Sequence, residues 1–171
     1  MLQPLLSLYQ LLKANEAKFT DVSLAPIEFI DVYRSQPLEP ELYEYFPLPA
    51  IFIDYTMQGK GINQRRTITM TLHFVCDELP DASNISEQKT AGLNRFLYLL
   101  LIQQIIEGSH LGKTTALKFI NEGVVDVPVA NYHTQTYEFE AYIADMIGDI
   151  AEIYGEFERL NIYQSLLKNR K

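Results

Sequence analysis

Gly108-Ser-His-Leu-Gly112-Lys113-Thr114 has the residue types of a phosphate-binding loop. In such a loop backbone N–H groups, a lysine and a hydroxyl surround the anion. The run is one residue short of G-x-x-x-x-G-K-[ST], and its setting is reversed. A phosphate loop follows a strand and opens a helix, so that the helix N-terminus faces the phosphate. Here helical periodicity comes first and strand alternation follows, so the run reads as a helix stop and a turn.

The other reactive side chains are scattered. His73, His110 and His133 fall on strand, turn and loop, and no pair has metal-ligand spacing. Cys76 is the single cysteine, which rules out an intrachain disulfide and suits a reducing compartment. It alternates with Phe74 on an apolar strand face, where a thiol behaves as a small hydrophobe. No serine sits in a nucleophile-elbow setting. Glu138 and Glu140 share one strand face, and solvated outward carboxylates are a commoner meaning of that pattern than acid–base chemistry. Asn84-Ile85-Ser86 has the pattern of a glycosylation acceptor, which carries no meaning in a cytoplasmic protein. The expectation is a protein that is not an enzyme and holds no metal or cofactor.

Composition agrees with a binding or structural role. The chain has 171 residues, 47% of them hydrophobic and 21% charged, which is enough for one globular domain with a real core. Its 22 acidic and 14 basic side chains leave a net charge of −8, which argues against a general phosphate-binding surface. Arg65 with Arg66, and Lys168, Arg170 and Lys171, are small basic patches. The N-terminus is apolar but has neither a basic n-region nor a cleavage site, so a signal peptide is not expected. The most apolar run, 96–102, stops at Gln103 and Gln104 and is too short to span a bilayer. A cytoplasmic protein without a membrane segment is expected.

The element that positions everything else is 65–76, RRTITMTLHFVC. Ile68, Met70, Leu72, Phe74 and Cys76 alternate with Thr67, Thr69, Thr71, His73 and Val75, the pattern of a central strand with one buried face. Before it, 50–57 alternates in the same way, and the polar tip 58–64 (QGKGINQ) joins the two into a long hairpin. Ahead of these lie a helix over 4–17, an edge-strand candidate at 26–34, and a connection over 36–49 whose four prolines exclude a central strand. After them, 77–86 reads as a polar loop and 86–107 as a helix apolar over more than half its circumference, stopped by Gly108. Strands are expected over 114–121 and 135–147, with an apolar loop over 122–134 between them. In the last strand Tyr137, Phe139, Ala141 and Ile143 face inward. A final amphipathic helix follows Gly148, with its stripe at Ile150, Ile153, Tyr154, Phe157, Leu160 and Leu167.

The fold class expected is α+β, a mixed or antiparallel sheet with a long β-hairpin packed against helices, plus a C-terminal helix. Residues 1–147 form the domain and 148–171 a helical extension. There are 11 Tyr and 9 Phe with no Trp, and the nearly all-round apolar helix leaves apolar surface to spare. Tyrosine-rich exposed surface suits protein–protein contacts, so assembly is expected.

This order resembles the tail terminator (tail completion) and neck proteins of long-tailed bacteriophages. The residues that carry the resemblance are the leading helix, the proline that opens the apolar strand Pro49-Ala-Ile-Phe-Ile-Asp54, the hairpin into 65–76, and closing strands that end in Tyr137-Glu-Phe-Glu-Ala-Tyr142. It covers 1–147. The connection over 21–49 is longer than the family pattern, and the helix after Gly148 is an addition. The resemblance implies a small α+β subunit of a hexameric ring in the virion, assembled in the host bacterial cytoplasm. The ring caps the tail tube, stops its growth and joins the head connector, without enzymatic activity or cofactor. Its partners would be copies of itself, the tail tube protein and the connector or neck proteins, and DNA would pass through without sequence-specific binding. Ring contacts are then expected at Gln58, Gly59, Lys60, Gly61, Ile62 and Asn63 of the hairpin tip, and at Val124, Val125, Val127, Val129 and Tyr132. Glu138 and Glu140 would line the lumen. Another neck or head-completion protein, or a non-viral cytoplasmic adaptor module, is the alternative.

Overall fold

The structure, a computed structural model, describes residues 1–39, 45–59, 61, 63–77, 82–126 and 131–147. Its centre is a five-stranded sheet. The strands are β1 (Phe29–Val32), β2 (Ala50–Gly59), β3 (Arg66–Cys76), β4 (Lys118–Val125) and β5 (Asn131–Ala141), in the spatial order β1-β2-β3-β5-β4. β1 runs parallel to β2, and every other pair is antiparallel. The fold is α+β, and the sheet is mixed, one of the two kinds expected.

The β2–β3 hairpin extends over ten register pairs, from Ala50↔Val75 to Gly59↔Arg66. β3 is paired on both sides, and its even-numbered residues Ile68, Met70, Leu72, Phe74 and Cys76 are all buried. They meet Ile51 and Ile53 from β2 and Tyr137, Phe139 and Ala141 from β5 in one core. Helices α1 (Leu2–Ala14), α2 (Glu16–Thr20) and α4 (Asn94–Ile106) cover that core with Leu8, Leu12, Phe19, Leu99, Ile102 and Ile106. A short helix α3 (Lys89–Gly92) precedes α4, and α5 (Ile143–Ile147) packs Met146 beneath α1.

The opposite face of the sheet is divided. At one end Ala50, Phe52, Val75 and Tyr132 form a second apolar cluster under Phe29, Tyr33, Phe46 and Leu48. Phe46 meets Phe52 edge-on at 4.9 Å, so the proline-rich connection does cover the sheet in its described part. At the other end the face is polar. Asp54, Thr56 and Gln58 of β2, Thr67 and Thr69 of β3, and Glu138 and Glu140 of β5 stand there partly or fully exposed.

Five expectations from the sequence need correction. The first helix breaks at Asn15 (φ −109°, ψ 14°) into α1 and α2, because the Asn15 side-chain amide donates to the Leu11 carbonyl at 2.8 Å and competes with the helical backbone. The helix expected over 86–107 is likewise two. Gly92 ends α3, Leu93 forms a turn, and α4 runs from Asn94 to Ile106, with Glu107 extended and Gly108 at φ +78° just past its end, where a stop is expected.

The strand expected at 114–121 starts later, at Lys118, and the loop expected over 122–134 is mostly strand. Glu122–Val125 complete β4 and Asn131–Thr134 begin β5. The β-branched pair Val124 and Val125 favours pairing with β5, and Gly123 within β4 does not interrupt it. Finally, β5 ends at Ala141, and Ile143, expected inward on a strand, is an exposed residue of α5. The apolar period changes there from two to helical, and Met146 fills the core position instead. The helix expected after Gly148, and the extension 148–171, lie outside the described residues.

Candidate interaction surface

The sheet has two edges, and they are built differently. At β1 the edge is four residues long and partly closed by its own side chains. The Val32 N–H donates to the Asp31 carboxylate at 2.7 Å, and the Gln36 amide donates to the Val32 carbonyl at 2.8 Å. Arg34 adds an exposed ion pair to Asp31 at 2.8 Å, worth little by itself. The other edge, β4, is eight residues long and pairs with β5 alone among the described residues. It carries a register shift at Ile120, a common device on sheet edges, and two charges, Lys118 and Glu122. It exposes Ile120 (50%) between these charges and Val124 (72%) beyond Glu122.

Next to this edge runs α4. Its inner side buries Tyr98, Leu99, Ile102, Ile105 and Ile106, while Leu93, Phe96 and Leu100 remain outside at helical spacing. Phe96 meets the ring of His133 edge-on at 6.0 Å, and His133 is the register partner of Val124. Val124, Phe96 and Leu100, the last 62% exposed, therefore follow one another from the sheet edge onto the helix. An apolar row beside a sheet edge that has no partner among the described residues has the character of a protein contact surface.

Buried groups hold this surface in place. Gln135 is buried on β5, and its amide donates to the Leu99 carbonyl at 2.9 Å and to the Glu122 carboxylate at 2.7 Å, while its Oε1 accepts from Tyr137 at 2.9 Å. One side chain thus joins α4, β4 and β5. Burial also pushes the Tyr137 hydroxyl's ionisation up, and the carboxylates of Glu107 and Glu122 add to the effect. Sequence patterning marked Gln135 only as the start of a strand. A glutamine among inward-facing residues was the available signal for it.

Among the described residues the reactive side chains of His110, His133, His73 and Cys76 stand in separate places. His110 is tied to its own turn, Nδ1 lying 2.9 Å from the Thr114 carbonyl oxygen. His133 lies on the helix side of the sheet, and burial, with Arg95 nearby, lowers its pKa. His73 lies on the opposite face. The Cys76 thiol is buried and pushed up to about 12, chiefly by burial, so it is protonated and inert near neutrality. Among the described residues no group of three or more His, Cys, Asp or Glu could hold a metal ion. The loop 108–114 follows α4 and leads into β4, with Gly112 in the left-handed region at φ +72°, and forms a turn rather than an anion cradle. A cleft of about 220 Å³ between α1 and the chain around β1 is lined by Tyr9, Leu12, Lys13, Glu16, Ile27, Glu28 and Ile30.

Of the residues expected at contacts, Gln58, Gly59, Gly61 and Asn63 are exposed at the hairpin tip, and Val124 is exposed on the β4 edge. Val125 is half-buried on the opposite face, packed on the second cluster. Tyr132 is buried there, its hydroxyl 2.5 Å from Nδ1 of His73, so it supports the sheet instead of standing in a loop. Lys60, Ile62, Val127 and Val129 lie outside the described residues. Leu93, Phe96 and Leu100 were legible as part of an apolar helix, but which side of it would remain uncovered was not. Glu138 and Glu140 do share the polar face. Glu138 lies between Thr69 and Lys118 in register, and Glu140 pairs with Thr67.

Neither a protein-family model nor a curated protein matches this chain. Among the described residues no helix is long and apolar enough to cross a membrane.

Proposed function

We propose that this chain is a structural subunit that assembles with copies of itself into a ring at the head-proximal end of a long-tailed phage tail, where it ends tube growth and joins the tail to the head connector. The observation that carries this reading is the apolar row Leu93, Phe96, Leu100 and Val124 beside the β4 edge, which has no outer partner among the described residues. A subunit that repeats around a ring needs a persistent patch of this kind, and in a head-to-tail ring it meets a different patch on the next copy. The order of elements also supports the reading. A leading helix, a long hairpin, a buried helix and two closing strands stand in the sequence the resemblance requires.

The polar end of the second sheet face fits the remaining requirement. Glu138, Glu140 and Asp54 gather there with threonines, next to the hairpin tip. A lumen lined by carboxylates lets DNA pass, because like charge weakens phosphate attraction.

The reading is tested by adding the purified protein to polymerising tail tube protein and measuring tube length by electron microscopy. Shorter tubes bearing a ring at one end are expected. Tubes of unchanged length without end rings would overturn it. In the same assay Glu138→Lys with Glu140→Lys should leave rings intact but impair DNA passage in assembled particles. Unchanged passage would remove these two residues from the lumen.

A further inference from the structure

On the second face of the sheet, His73 is enclosed by two tyrosines. The Tyr33 ring, just past β1, stacks on the imidazole with centroids 3.9 Å apart and planes 7° from parallel. The Tyr132 hydroxyl of β5 lies 2.5 Å from Nδ1. That hydroxyl also interacts with Tyr33, and burial together with this contact pushes its ionisation upward, so it stays a phenol. The remaining ring nitrogen, Nε2, is buried and has no hydrogen-bond partner.

A neutral imidazole can satisfy this site, because Nδ1 exchanges one hydrogen bond with Tyr132 and a single orphaned nitrogen is a bounded cost. A protonated ring cannot be satisfied in the same way. Both nitrogens must then donate, Nε2 faces no acceptor, and the charge is taken out of water.

Each element packed here contributes to the balance. β2 supplies Asp54, whose carboxylate favours the charged ring. β5 supplies Tyr132 and the segment after β1 supplies Tyr33, both uncharged. Burial outweighs Asp54, and the His73 pKa is lowered. Tyr33 is the least anchored member. β1 is short and at an edge, and the Tyr33 N–H makes one backbone bond, to the Ile53 carbonyl at 2.9 Å.

We propose that Tyr33, His73 and Tyr132 form an acid-sensitive latch, which holds the end of β1 against the sheet near neutral pH and lets Tyr33 leave when the imidazole is protonated. The latch lies on the face opposite α4 and does not depend on the ring reading.

The test is amide hydrogen exchange by NMR on the full chain, followed from about pH 7.5 to about pH 4.5, through the ordinary imidazole range and below it. After correction for intrinsic exchange, protection of the Tyr33 amide is expected to fall severalfold more than that of β3 core amides. The midpoint should coincide with the His73 ring titration in the same sample. His73→Gln should abolish the pH dependence, and His133→Gln, on the other face, should keep it. Protection at Tyr33 that is unchanged, that falls in step with the whole sheet, or whose midpoint departs from the His73 titration would overturn the proposal. The wild-type comparison decides the matter even if His73→Gln does not fold.

Discussion

The side-chain amide of Gln135 on β5 donates to the backbone carbonyl of Leu99 on α4 at 2.9 Å. This bond fixes the helix over the sheet at the point where Phe96 and Leu100 leave the core for the surface. The same amide bonds Glu122, so the helix and the β4 edge are held in one arrangement.

Gln135→Leu removes these bonds and leaves the Tyr137 hydroxyl without its buried acceptor. Leaving buried polar groups unpaired costs about 1–3 kcal/mol each. A loss of about 2 kcal/mol in urea unfolding is expected, together with weaker self-association. A variant as stable as the parent would show that the network does not fix this corner.

The central strand gives a second expectation. Phe74 is 1% exposed and packs on Tyr98 with ring centroids 5.2 Å apart. Phe74→Ala should lower stability by about 3–5 kcal/mol, the usual range for a large buried aromatic. A loss under about 1 kcal/mol would mean that the site collapses around the cavity.

Much of this architecture was legible in the sequence, and the reason is periodicity. The strict alternation from Ile68 to Cys76 admits one register, because a slip by one residue would turn every apolar side chain outward. The elements that were misjudged are those where tertiary packing overrides local pattern. Gly123 resembled a loop residue but lies in a strand paired with β5, and Ile143 continued an alternation that the backbone abandons after Ala141. The candidate surface was only half legible. Apolar excess was countable, but which apolar residues stay outside depends on where α4 settles, and that is decided by long-range contacts such as Gln135 with Leu99.

Acid should destabilise the fold through half-buried His73 and buried His133. The pKa values of His73 and His133 are both lowered chiefly by burial, so the unfolded chain binds more protons than the native one once pH falls below the ordinary imidazole range. Their contribution is full above about pH 6.5 and is lost as pH falls through that range toward the lowered native values. Urea midpoints at about pH 7.5 and about pH 5.5 measure this. A fall on acidification is expected, reduced in His73→Gln and in His133→Gln. Equal midpoints would contradict it.

Cys76 should resist alkylation. With the thiol buried and pushed up to about 12, thiolate is scarce near neutrality. Iodoacetamide labelling followed by mass should be slow in the native protein and rapid in urea. Fast native labelling would place the thiol at the surface.

Substitution of the apolar row separates assembly from stability. Leu100→Glu with Val124→Lys alters two exposed side chains, and such changes usually move stability by less than about 0.5 kcal/mol. The urea midpoint should hold while self-association is lost. Association that survives would move the contact elsewhere on the molecule, with the exposed hairpin tip at Gln58, Gly59, Gly61 and Asn63 the next place to substitute.

The most direct measurement is the solution mass of the full chain by light scattering, with negative-stain images of the same sample, alone and mixed with tail tube protein. A closed ring of about six copies is expected, alone or on the end of a tube. A protein that remains monomeric in both samples would contradict it.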